Sequence, residues 1–141
     1  MKVYIYKKIY WDYSDILGVL SEAAMLREKE KLIKEAKKKR CEEMLQRESE
    51  IIKLKEQRSE LSIKDQSENV PVQQALKASG DKAAIKAFRK QRKVILKEIE
   101  GLTSQIWRLE WENKKLQKYE DDALIGRFFP DLEFYEHEVL E

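Results

Sequence analysis

One cysteine, one histidine, two prolines and four glycines are all that 141 residues contain of the types that cross-link, ligate or interrupt a chain. The lone Cys41 excludes an internal disulfide. His137 has no second histidine or cysteine nearby, so no zinc-ligand spacing exists. A reducing, cytoplasmic setting is the resulting expectation. No apolar run approaches the roughly 20 residues that span a bilayer, and Met1-Lys2-Val3-Tyr4 does not begin a continuous signal-peptide core, so no membrane contact is expected. Catalytic constellations are missing as well: there is no Gly-rich phosphate loop, no nucleophile elbow and no histidine pair. Ser14 with Asp12 and Asp15 is turn chemistry, and His137 beside Glu136 and Glu138 reads as an exposed strand residue. No catalytic residue, metal or cofactor is expected, and the chain reads as a non-enzyme.

What is abundant is charge. Charged residues make up 40% of the chain and apolar ones 42%, which leaves little material for a compact core and favours long helices. The net charge of +2 is unevenly spread. Seven basic residues and no acid fall between Lys82 and Lys97, whereas Glu110 to Glu141 holds ten acids against Lys114, Lys115, Lys118 and Arg127.

The chain is organised around Ile85 to Leu116. Ile85, Arg92, Ile99, Ile106 and Asn113 fall at heptad position a, and Phe88, Ile95, Leu102, Leu109 and Leu116 fall at d. Eight of these ten positions are apolar, so this helix must bury a stripe against another. Its expected span is 82–119, begun by the break and cap signal Ser79-Gly80-Asp81. A helix over 22–65 precedes it, with Ser21 as N-cap and Leu20 and Met25 placed for a hydrophobic staple. No glycine or proline interrupts it, and strong helix formers predominate. Its apolar stripe is less regular: Leu26, Ile33, Cys41, Leu45, Ile52, Leu54 and Leu61, with Arg40 and Arg47 interrupting. Ser67-Glu68-Asn69-Val70-Pro71 is read as the end of that helix, because proline removes a donor and disfavours helical geometry before it. Residues 66–81 then form a connector, in which Val72 to Ala78 adds one or two helical turns.

Strand patterns lie at the two ends. Residues 2–10 alternate Val3, Ile5 and Ile9 with Tyr4, Tyr6 and Tyr10, the pattern of a strand covered on both faces. A turn at Trp11 to Asp15 leads to a second strand, Ile16 to Leu20, completing a hairpin over 2–20 in which Gly18 suggests a bulge or a close backbone approach. Gly126 marks a helix exit, Pro130 starts an extended piece, and a terminal strand is expected within 128–140, its acids Glu133, Glu136 and Glu138 paired against Lys2, Lys7 and Lys8. The expected fold is α+β, mainly α. A long antiparallel, coiled-coil-like helical hairpin is closed at its base by a small three-stranded antiparallel sheet from both termini, as a single elongated domain over 1–141.

Four residues stand out as candidate ligand contacts: Arg127, Trp107, Trp111 and Asn113. Asn113 at an a position restricts register and oligomeric state; the seam could also simply end in solvent there, or the amide could bind a ligand. Trp107 and Trp111, four residues apart at b and f, share a face that the seam does not cover. They either pack beneath the terminal sheet or another subunit, or offer a stacking platform with Arg108, Lys114 or Lys115 near a ligand's phosphates. Arg127 is either an ion-pair partner for Asp121 or Asp122 or a phosphate clamp. The Lys82–Lys97 block is either a solvated coiled-coil surface or a contact for nucleic-acid phosphates.

The opening Lys2-Val3-Tyr4-Ile5-Tyr6, followed by Tyr13-Ser14-Asp15-Ile16-Leu17-Gly18-Val19-Leu20-Ser21-Glu22, resembles the hairpin-then-helix start of many small phage-encoded proteins. The ending Phe129 to Leu140 resembles their closing strand. Within that group the layout is most similar to the first type of Thoeris anti-defence proteins, phage sponges that sequester cyclic ADP-ribose-type immune signals without cleaving them. The resemblance implies a symmetric homo-oligomer in the cytoplasm of an infected bacterium, with a nucleotide-derived signalling molecule, and also cyclic oligonucleotides, as ligands. The alternative reading is a coiled-coil interaction protein that assembles with or inhibits a host protein. A third is nucleic-acid binding through 82–97.

Overall fold

The computed structural model describes residues 1–140. It contains strands β1 (Lys2–Ile9) and β2 (Ser14–Leu20), helix α1 (Glu22–Lys64), a π-helical turn (Asp65–Asn69), helices α2 (Val70–Ser79), α3 (Lys82–Gln117) and α4 (Asp121–Phe128), and strand β3 (Leu132–Glu138). The chain is mainly helical, with a small antiparallel sheet drawn from both termini, as expected from its sequence. It divides into a middle unit, Leu45–Lys114, and a terminal unit that combines Met1–Met44 with the chain from Lys115 onward.

In the middle unit the second part of α1 runs antiparallel to α3. The cross-helix partners show the direction: Arg47 meets Glu112 and Asn113, Lys55 meets Glu110, Arg58 meets Thr103, and Asp65 meets Arg92. An apolar layer of Ile51, Ile106 and Leu109, with Leu54 against it, forms the core. The α3 half of this seam follows the expected heptad.

The α1 half follows the expected stripe only in part, at Leu54 and Leu61. Burial recurs at Ala36, Arg40, Glu43, Arg47, Ile51, Leu54, Arg58, Leu61 and Asp65, a spacing of threes and fours that sets one helix face. Leu26, Cys41, Leu45 and Ile52 are exposed instead. The arginines expected to interrupt the stripe lie on it: Arg40 donates to the Tyr119 carbonyl at 3.4 Å, and Arg47 meets a non-apolar a position of α3. The non-apolar a positions Arg92 and Asn113 find polar partners in Asp65 and Arg47.

Pro71 does not end the helix. Helical structure continues from Glu22 to Ser79 through the π-turn, and the chain reverses only at Gly80–Asp81, so the connector is shorter than expected. Pro71 sits in the first turn of α2, where its missing N–H is not required. The wider turn is closed by Val70 N–H bonding to the Asp65 carbonyl, and Asn69 Nδ2 donates to Asp65 Oδ1 at 2.9 Å. Gly80, at φ 71, supplies the left-handed cap. Asp81 Oδ1 then accepts the Ala84 N–H at 3.1 Å and caps α3.

The terminal unit carries the sheet in the order β2-β1-β3, all antiparallel. The register breaks opposite Tyr6/Lys7, leaving Leu17 beside Gly18 as the extra residue of the expected bulge. Lys7 lies opposite Glu133, and Lys2 bridges Glu136 at 2.9 Å, so β3 carries the expected acids against lysines of β1. This salt bridge raises the Lys2 pKa, chiefly through its hydrogen bond to Glu136. Ser21 Oγ accepts the Ala24 N–H and caps α1. Helix α4 is a separate element that the sequence did not announce; it runs through Gly126, the expected helix exit, to Phe128 and buries Leu124 and Ile125.

Candidate functional site

The four candidate residues fall in different environments. Asn113 is buried, and its Oδ1 accepts a 3.4 Å hydrogen bond from Arg47 Nη1. It is part of the helix seam, with Arg47 also paired to Glu112 at 3.4 Å. Arg127 belongs to the terminal unit and pairs with Glu43 at 3.2 Å, its guanidinium lying 5.6 Å from the centre of the Phe128 ring. Asp121 and Asp122, the partners expected for it, pair instead with Lys37 and Lys29.

Trp107 and Trp111 are 67% and 53% exposed. Their rings are nearly parallel, 6° apart, with centroids separated by 6.3 Å. One turn of α3 sets that spacing, and b and f positions lie opposite the a/d seam, which explains why folding leaves them outward. Lys114 lies three residues beyond Trp111 and Arg108 adjoins Trp107, both exposed. Exposed indoles can stack a flat ring, and Lys114, three residues from Trp111, shares its side of the helix.

A separate groove of about 580 Å³ opens in the middle unit beside Leu61 and Leu102. Gly101 lines it, and a Cβ there would meet nothing within 4 Å. Its charged lining, Glu60, Lys64 and Glu98, is mixed in sign, and none of the four candidate residues contributes to it. In the Lys82–Lys97 block, Arg92 is committed to Asp65; Lys82, Lys86, Arg89, Lys90, Lys93 and Lys97 are exposed. Among the described residues no cluster of His, Cys, Asp or Glu is suited to a metal ion, and no helix is long and apolar enough to cross a membrane.

The sheet adds a surface that the sequence reading missed. Alternation and register place Val3, Ile5, Lys7 and Ile9 of β1 on one face, with Ile16 and Val19 of β2 and Glu133, Tyr135 and His137 of β3. Ile16 is 66% and Val19 65% exposed, and Tyr135 is half exposed. The opposite face carries the stacked Tyr6–Phe134 pair and turns toward α1; burial, then the nearby Glu28 and Asp131 carboxylates, raises the Tyr6 pKa. The tyrosine face of β1 is thus the one packed inward. The expectation that both faces are covered gives way to a sheet with one open, largely apolar face. Val3, Ile5 and Ile9 alternate with tyrosines rather than with polar residues, so the sequence marks two apolar sides without saying which one stays open.

No protein-family model, curated protein or solved structure matches this chain.

Proposed function

We propose that this protein acts by binding rather than by catalysis, and that the Trp107–Trp111 face captures a flat, anionic, nucleotide-derived signal of the cyclic ADP-ribose class. The observation that carries the reading is the pair of parallel, exposed indole rings beside Arg108 and Lys114. Indoles gain on the order of 1–3 kcal/mol by stacking a base, with little dependence on which base it is. The resemblance to Thoeris anti-defence sponges supplies the setting, a phage protein that withholds an immune signal in the bacterial cytoplasm without cleaving it. Of the four expected ligand contacts, the two tryptophans carry this proposal. Asn113 belongs to the helix seam, and Arg127 lies in the terminal unit, paired with Glu43.

The test is retention. The protein is incubated with cyclic ADP-ribose isomers and cyclic oligonucleotides, freed of unbound compound and heated, and the released molecule is identified by mass. Intact ligand is expected from the parent protein, and none from Trp107→Ala or Trp111→Ala. Retention of no compound by the parent protein would sink the proposal.

The second reading is an interaction protein that engages a host partner. Leu45, Ile52 and Ile63 support it, because they line one face of α1, all exposed and all opposite the seam. Under this reading a specific partner binds irrespective of nucleotide, and Leu45→Ser with Ile52→Ser abolishes binding while leaving the Trp107–Trp111 face intact.

A further inference from the structure

An antiparallel sheet with one solvated face normally alternates apolar residues inward with polar residues outward. Here the outward face is apolar at Val3, Ile5, Ile9, Ile16, Val19 and Tyr135. The pattern is therefore that of a sheet packed on both sides, while the chain packs only one. We propose that the open face is a homodimer interface, on which the sheets of two copies pack face to face about a two-fold axis.

Charge identifies the second copy as the occupant. Toward the centre of the face the charged residues are Lys7 and Glu133, directly opposite each other on β1 and β3. Lys7 Nζ rests 5.3 Å from the centre of the Tyr135 ring, so its charge lies along the surface rather than standing free of it. One cation and one anion make the face self-complementary. A two-fold axis sets Lys7 of each copy against Glu133 of the other, as an isologous contact requires. A strongly charged partner of either sign would leave one of the two opposed by its own sign.

Size sets the strength. Three strands of about seven residues offer a face of roughly 15 Å by 23 Å, on the order of 350 Å² per copy, well under the size of a standard specific interface, so the contact belongs with weak, transient ones. The dimer is accordingly reversible, its population rising with concentration. The inference does not rest on the tryptophan reading, since it concerns only the sheet.

Sedimentation equilibrium of the full chain without nucleotide tests it. The parent protein is expected to pass from monomer to dimer with increasing concentration. Val19→Lys and Ile16→Glu, at exposed positions, should keep the parent circular dichroism and weaken dimerisation by about 100-fold or more, because each buries an unmatched charge in both halves. Lys7→Glu alone and Glu133→Lys alone should each be monomeric, and an equimolar mixture of the two should restore the dimer. Three results would overturn the inference: a parent monomer at every concentration, an unchanged mass for Val19→Lys and Ile16→Glu, or a mixture that stays monomeric. None of these results bears on nucleotide retention, so either proposal can fail alone.

Discussion

The apolar layer and the polar pairs of the middle unit are built on the same two helices, yet they specify different things. Ile51, Ile106 and Leu109 exclude water and require only volume from each other. Asp65 and Arg92 require a particular partner: Nε and Nη2 of Arg92 donate to the two carboxylate oxygens at 2.9 and 2.8 Å, while Asn69 donates to one of them and Gln73 accepts from Nη1. An apolar layer tolerates a slip along the seam, because another apolar residue takes the vacated place. The bidentate pair does not, since a one-turn slip would leave a buried carboxylate facing methylene groups. Stability therefore belongs mainly to the layer, and register to the pairs.

The largest effect expected from breaking this contrast is in the layer. Ile106→Ala, at a position only 3% exposed, should lower unfolding free energy by about 2–5 kcal/mol in urea titrations. A loss below about 1 kcal/mol would mean that the layer is not the main core of this unit.

Asp65→Ala comes next, and it should behave differently. It strands the Arg92 guanidinium, so the protein is destabilised, and adding Arg92→Leu should recover part of the loss; two apolar substitutions in the Ile106 layer would only deepen the damage. The pair also leaves a pH signature. Hydrogen bonds from Arg92 hold the Asp65 carboxyl below its ordinary value of 3.8, against the opposing pull of burial. A depressed folded pKa contributes stability that is present above the unfolded value and lost as pH falls through the folded one. The parent protein should thus lose stability below pH 3.8, and Asp65→Asn, less stable at neutral pH, should lose less over that acid range. Parallel acid limbs in urea titrations would contradict the assignment.

Asn113→Leu should do less, about 1 kcal/mol, because the 3.4 Å bond from Arg47 is long and Arg47 keeps Glu112. Its clearer readout is uniqueness. Loss of sharp, single amide resonances around residues 47 and 113, without loss of helix, is the expected sign that a register constraint has gone. Unchanged spectra would confine Asn113 to filling space.

The sequence made one helix of this seam readable and concealed the other. The α3 face announces itself through eight apolar positions in strict heptads, whereas the α1 face includes Arg40, Glu43, Arg47, Arg58 and Asp65, which periodicity counts as solvent. Pro71 likewise signals a break, because the usual weighting of proline does not foresee a π-turn that places it where no donor is needed. Short α4 lacked a periodic stripe long enough to register. Of the candidate site, the placement of the tryptophans off the seam was legible from their b and f positions; their exposure was not, because two indoles are ordinarily covered. The open sheet face was not, because β1 alone cannot say which of its two apolar sides meets a helix.

Leu45 and Ile52 give the smallest expected effect and the sharpest comparison. Hydropathy alone assigns them to the buried stripe ahead of Arg47, yet they are 58% and 57% exposed while Arg47 lies against Asn113 and Glu112. If partner matching sets this face, Leu45→Ser and Ile52→Ser should each change the unfolding free energy by no more than about 0.5 kcal/mol, the range of ordinary surface substitutions. If hydropathy sets it, each removes a core side chain and costs several times more. Chemical denaturation of the two variants at low protein concentration decides between the phases, because a rotation of α1 large enough to bury Leu45 and Ile52 would carry Ile51 and Arg47 away from α3 together.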